Sequence, residues 1–204
     1  MLNLTELQRD TMMELLNIGM GRAASALSEM VGAEIYLCVP FLDLLSRHEA
    51  IKRLAGKRAE RMIAVQQQFS GLLGGDIMLV FPEEKSLELV HVLVKDSTPL
   101  EVMTEMEQEV FMEIGNMILN SCIGSIATIL KSEMSSSLPI ILNGTDKDIF
   151  GENFDSHDDD GTVLFLSMGF SLQERSIDGN VAFIINGDAT YALQERIDRF
   201  ISNL

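Results

Sequence analysis

The chain has 204 residues, 47% of them hydrophobic and 23% charged, a mix that suits one or two packed domains and excludes wholesale disorder. Its formal net charge of −16 repels phosphate backbones and anionic lipid, so nucleic acid and membrane surfaces are excluded as natural partners. Two cysteines, Cys38 and Cys122, are too few for a disulfide framework and have no metal-ligand spacing; both fall in apolar stretches and are expected as buried, inert thiols.

The first residues, "MLNLTELQRD", lack the basic and apolar regions of a secretion signal. No apolar run approaches the ~18–20 residues of a membrane span. A cytoplasmic location is expected. Thr5 with Gln8 reads as a capping box opening a helix to about residue 31. Strand candidates follow: "EIYLCV", "RMIAVQQQF" and "DIMLVF", the last two joined by a turn at "SGLLGG". The basic-leaning run from Arg47 to Arg61 is expected as a short surface helix and linker, and "PEEKSLELVHVLV" as a helix.

Thr98 with Glu101, and Pro99 at the first helical position, reads as a second capping box before a helix to about residue 131. Strands are then expected at "LPIIL", "TVLFLSMGF" and "NVAFII", with "LQERSIDG" as a hairpin turn and "DATYALQERIDRFISNL" as a closing helix. Asn143 to Gly161 is acidic, lacks the ligand ladder of a calcium loop, and reads as a solvated loop. His48, His91 and His157 have no partner spacing and read as exposed or lightly packed. Hairpin strands beside helices predict an α+β fold with an antiparallel sheet packed against long helices.

The chain also resembles itself at an offset of 99 residues. "TELQ" at Thr5 aligns with "TEME" at Thr104, "ELLN" at Glu14 with "EIGN" at Glu113, and Pro40 with Pro139. This predicts a single domain over 1–204 with pseudo-two-fold symmetry, built from a helix–strands–helix unit at about 1–95 and again at about 96–204.

On a helical wheel Asp10, Glu14, Asn17 and Gly21 fall within about 60° of one another. Met12, Leu16, Met20, Ala23, Leu27 and Met30 fall on the opposite side. In the second helix Glu109, Glu113, Asn116 and Asn120 form the stripe, while Gly115, Leu119, Cys122, Ile126 and Ile129 face the core. Polar residues on a wet helix face need no function. Here, though, the Glu/Asn pair recurs at matching depth in two helices whose other residues differ, and asparagine and glycine are costly helix formers. Gly19 and Gly21 either pack a neighbouring helix closely or admit the backbone of another molecule.

A carboxylate and a carboxamide do not make a nucleophile–base pair. A carboxamide both donates and accepts hydrogen bonds, so it can hold a water in a chosen orientation. That suits phosphoryl hydrolysis, where positioning and electrostatics supply most of the catalysis. A glutamate would repel the phosphate but can grip a cation beside it, so phosphate and metal would belong to a protein substrate.

The pattern Asp/Ser-x3-Glu-x2-Asn-x22-Pro resembles that of the CheC/CheX/FliY family of chemotaxis phosphatases. Asp10, Glu14, Asn17 and Pro40 match it in full; Glu113, Asn116 and Pro139 match it with Glu109 where Asp or Ser is expected. Two copies resemble CheC rather than CheX, and the lack of a further C-terminal domain sets the chain apart from FliY. The resemblance implies hydrolysis of the aspartyl phosphate of a CheY-type response regulator. Asn17 and Asn116 would orient the attacking water, and Glu14 and Glu113 would pair with the regulator's lysine. Asp10, Glu109, Pro40 and Pro139 would be supporting residues. The chain would bind no cofactor of its own, Mg2+ being held by the regulator, and a CheD-type deamidase is a further expected partner. Two alternatives stand beside this: a non-catalytic adaptor for a phosphorylated regulator or a deamidase, and a dimeric scaffold whose stripes are only wet surface. The sequence sets neither the particular regulator nor the oligomeric state.

Overall fold

The computed structural model describes residues 4–54, 61–94, 103–150, 162–172, 175–185 and 189–203. Two helices of equal length, α1 (Glu6–Val31) and α4 (Glu105–Leu130), organise them. Each opens on a complete capping box, Thr5 with Gln8 and Thr104 with Glu107, and each ends on a left-handed residue, Gly32 and Lys131. The box that opens α4 forms at Thr104, the counterpart of Thr5. Thr98, Pro99 and Glu101 lie outside the described residues. Both boxes are tied to another helix: Gln8 Nε2 donates to Asp198 at 2.6 Å, and Glu107 lies 3.1 Å from His91 Nε2.

The remaining elements are β1 (Ile35–Ser46), α2 (Arg47–Leu54), β2 (Met62–Gly71), β3 (Gly75–Pro82), α3 (Glu83–Val94), β4 (Met134–Ser136), β5 (Ile140–Gly144), α5 (Asp146–Phe150), β6 (Thr162–Leu172), β7 (Arg175–Ile185) and α6 (Ala189–Ile201). The described strands form one antiparallel sheet in the order β1-β6-β7-β3-β2, with β4 and β5 both laid along β2. The fold is thus the α+β arrangement with an antiparallel sheet that the sequence predicts. From either end the order runs from an edge strand to the hairpin of the other half of the chain, and β3 joins β7 at the centre.

Several boundaries differ from expectation. β1 runs through Pro40 to Ser46, and β4 is an extra short strand. Most of "LQERSIDG" is strand, because β6 reaches Leu172 and β7 begins at Arg175. The expected acidic loop begins in β5 and holds the short helix α5; residues 151–161 and His157 lie outside the described set.

One sheet face carries α1, α3, α4 and α6 over a core including Leu16, Leu27, Phe81, Phe111, Ile118, Leu119 and Phe183. The other is covered in part by α2 and α5 over Ala50, Met62, Val80 and Phe165. Met12, Leu16, Met20, Ala23 and Leu27 are buried as the wheel predicts, but Met30, in the last turn of α1, is exposed. Cys122 is buried; Cys38 is not, because Ile35, Leu37 and Val39 take the inner face of β1 and Cys38 falls on the outer one. Contrary to the sequence expectation, α4 is long and apolar enough to cross a membrane; here it packs against α1 and the sheet.

Candidate functional site

The α1–α4 contact settles the role of one helix glycine. A Cβ on Gly19 would lie 2.3 Å from Ser125 Oγ. Ser121 Oγ donates to Gly19 O at 2.5 Å and Ser125 Oγ to Leu15 O at 3.1 Å. Gly19 is therefore the close-packing glycine. A Cβ on Gly21 would meet nothing within 4 Å. The pairs Leu15–Ser125 and Gly19–Ser121 make the helices antiparallel, and each carries its polar stripe beside an edge strand of its own half.

On α1, Asp10 and Glu14 are exposed, and Glu14 has no hydrogen-bond or ion partner among the described residues. Asn17 is half-buried rather than open to water. Val39 N donates to its Oδ1 at 2.8 Å, and its Nδ2 donates to Met13 O at 2.9 Å and Val39 O at 3.3 Å. The reason lies in β1. Cys38 pairs with Gly169 and Phe41 with Ser167, so Val39 and Pro40 together oppose one residue, a β-bulge. Pro40 has no N–H to give a ladder and is tolerated at such a break. The twenty-two-residue gap between asparagine and proline thus brings the helix back alongside the bulge.

The second half repeats this placement with different bonds. Glu109 and Glu113 are exposed on α4, and Glu113 is likewise unpartnered among the described residues. Pro139 lies in the gap between β4 and β5. Opposite that gap is Gln67 of β2, 1% exposed. Its Nε2 donates to Ser137 O at 2.9 Å and to Asn116 Oδ1 at 3.1 Å. Asn120 Nδ2 also donates to Asn116 Oδ1, at 2.7 Å, and Ser136 Oγ donates to Asn120 Oδ1 at 2.7 Å. Asn116 Nδ2 donates to nothing among the described residues. The half-buried Asn116 therefore presents a free N–H2, whereas Asn17 spends both ends of its carboxamide on backbone.

Packing explains the difference. A Cβ on Gly115 would sit 2.6 Å from Val65 of β2, so α4 lies hard against that strand and Asn116 reaches Gln67. The residue 99 positions earlier is Leu16, and α1 rests chiefly along β1. Sequence reasoning found both Glu/Asn pairs and both prolines but missed Gln67, Ser136 and Ser137. One signal was present: Gln67 shares strand phase with Val65 and Phe69, which marks it as facing the core. Among the described residues, no three His, Cys, Asp or Glu side chains are gathered where a metal ion could be held.

No protein-family model matches the chain. It is 26% identical over 137 residues to the CheY-P phosphatase CheC of Bacillus subtilis, covering 66% of this chain and 65% of that protein, just under two thirds of the relative's length. Its fold matches that of FliY from Thermotoga maritima with a TM-score of 0.74 over 98% of this chain and 99% of that one, at 17% identity. The fold of FliM in a FliG–FliM complex from H. pylori matches with a TM-score of 0.66 at 8% identity, over 94% of this chain and 100% of that one. The fold is thus shared with FliY. The chain carries the asparagine–proline spacing twice, is similar to CheC over 66% of its length, and shares its fold with FliY and FliM.

Proposed function

We propose that the chain hydrolyses the aspartyl phosphate of a CheY-type response regulator, with Asn116 as the principal water-orienting group. The observation that carries this reading is the half-buried Asn116 carboxamide, its carbonyl held from inside and its N–H2 unspent, one turn beyond the exposed Glu113. The similarity to a CheY-P phosphatase supports it.

In the reaction, water attacks phosphorus in line with the aspartyl oxygen. The P–O bond to the aspartate breaks, the carboxylate leaves with the electron pair, and of the water's two protons one stays on the released phosphate and the other passes to solvent. Asn116 holds the water, and Glu113 pairs with the regulator's active-site lysine. Neither asks for a shifted acid or base, because positioning lowers the barrier. Mg2+ belongs to the regulator and neutralises charge on its phosphate. Asn17 and Glu14 form the corresponding site of the first half, with Asp10 and Glu109 at the upstream ends of the two stripes.

The test is phosphate release from a phosphorylated CheY-type regulator in Mg2+, with and without this chain. Accelerated release that vanishes in the Asn17→Ala, Asn116→Ala double variant is expected. An unchanged phosphate lifetime beside measurable binding would replace this reading with that of an adaptor for a regulator or a CheD-type deamidase. One observation favours such a role for the first half: Asn17 has no carboxamide hydrogen left for a water.

A further inference from the structure

We infer that Gln67, a buried residue of β2, is the positioning residue that fixes which end of the Asn116 carboxamide faces the substrate. This rests on the proposed phosphatase reading for its consequence in rate, but not for its structural content.

A carboxamide has two ends of nearly equal shape, so its orientation is set by what surrounds it. For Asn116 the orientation is dictated by a backbone atom. Ser137 O can only accept, and it lies 2.9 Å from the Gln67 terminus, so that terminus must be Nε2. The same nitrogen lies 3.1 Å from Asn116, so the Asn116 atom facing it must be the acceptor Oδ1. Nδ2 is then turned outward. Asn120 reinforces this by donating to the same oxygen at 2.7 Å. The constraint runs from the proline-broken edge at Ser137, through Gln67, to Asn116.

Gln67 pays a cost that packing alone does not explain. It is 1% exposed between Val65 and Phe69, and its Oε1 is buried without a partner. An unpaired buried amide oxygen is destabilising, and an apolar side chain of similar size would remove the penalty. The corresponding position of the other hairpin holds such a residue. Two positions before Phe170, as Gln67 is two before Phe69, stands the buried Met168. That half has no side-chain relay, and Asn17 is tied to the backbone of Val39 instead. A buried polar residue with an unpaired oxygen, present only where the asparagine has a free N–H2, is the mark of orientation rather than of stability.

The test places Gln67→Met and Gln67→Glu in an Asn17→Ala background, so that only the second site is read. Gln67→Met is expected to keep or raise the melting temperature, leave KM for the phosphorylated regulator within two-fold, and lower kcat about ten-fold or more, the scale of a misplaced reacting group. Gln67→Glu should be equally slow at neutral pH and recover as pH falls, because a protonated carboxyl regains a donor for Ser137 O or Asn116 Oδ1. An unchanged kcat in Gln67→Met, or a fall in kcat matched by a fall in melting temperature, overturns the inference. Side-chain amide exchange separates this from failure of the phosphatase reading, since it needs no substrate. Without any regulator present, the Gln67 amide protons should exchange slowly and those of Asn116 fast. The reverse order overturns the inference whatever the activity.

Discussion

Val39 and Asn17 exchange hydrogen bonds in both directions: the strand N–H donates to the side-chain oxygen at 2.8 Å, and the side-chain nitrogen donates to the strand carbonyl at 3.3 Å. Asn17 thereby replaces the ladder that the Pro40 bulge interrupts. Removing it leaves the N–H of Val39, a residue only 1% exposed, without an acceptor. Asn17→Ala should therefore destabilise the fold by about 1–3 kcal/mol, measured by chemical denaturation. Its cost in phosphate release should be the smaller of the two asparagines.

Asn116→Ala should show the opposite balance. Gln67 keeps Ser137 O as a partner, so the stability loss should stay near 1 kcal/mol. The rate of phosphate release should fall about a hundred-fold, the scale of losing one oriented group. Single-turnover decay of a phosphorylated regulator measures this. Equal losses for both asparagines would mean that the Asn17 bonds to β1 open freely on docking.

The sequence reading located this contrast only halfway. The 3.6-residue period separated the buried Leu16 and Leu119 faces from the Glu14 and Glu113 stripes, and self-similarity found both Glu/Asn pairs. It could not distinguish Asn17 from Asn116, because the difference lies in partners brought together by the sheet: the Val39 backbone on β1 in one case, Gln67 on β2 in the other. The bulge at Pro40 was likewise invisible, since a strand pattern carries no register. Such motifs are ambiguous in sequence, for Thr98-x-x-Glu101 and Thr104-x-x-Glu107 read alike, and it is Thr104 that caps α4.

The two helix glycines make a paired prediction. Gly19→Ala drives a methyl into Ser125 Oγ at the α1–α4 contact and should cost about 1–3 kcal/mol. Gly21→Ala meets nothing within 4 Å and should stabilise the helix by up to about 1 kcal/mol. Thermal melts of both variants read the difference. Destabilisation by Gly21→Ala would show that the Gly21 face of α1 is not open to solvent.

Glu113 is exposed, so its pairing with a regulator's lysine should be visible as binding rather than chemistry. Glu113→Gln should raise KM for the phosphorylated regulator several-fold at low ionic strength. The gap to the parent protein should narrow as salt approaches 0.5 M, where exposed charges are screened within a few ångström. A salt-independent loss confined to kcat would instead give Glu113 a place in the chemical step.

The two thiols should part company with pH. Burial pushes the Cys122 thiol from 9.0 up to about 12, whereas Cys38 is exposed and open to reagent. Native protein should therefore give one fast-reacting thiol with an aromatic disulfide reagent at pH 8, and two only after unfolding. The raised value also fixes the sign of a stability effect. Between pH 9 and about 12 the unfolded chain loses the Cys122 proton while the folded chain keeps it, so alkali favours unfolding. The contribution falls by up to about 1.4 kcal/mol per pH unit in that window and is fully present below it. Cys122→Ala should start from a lower stability because of the cavity it leaves, but lose less between pH 9 and 11 than the parent. A parallel loss in both proteins would assign the alkaline slope to other groups and leave Cys122 accessible to ionisation in the folded state.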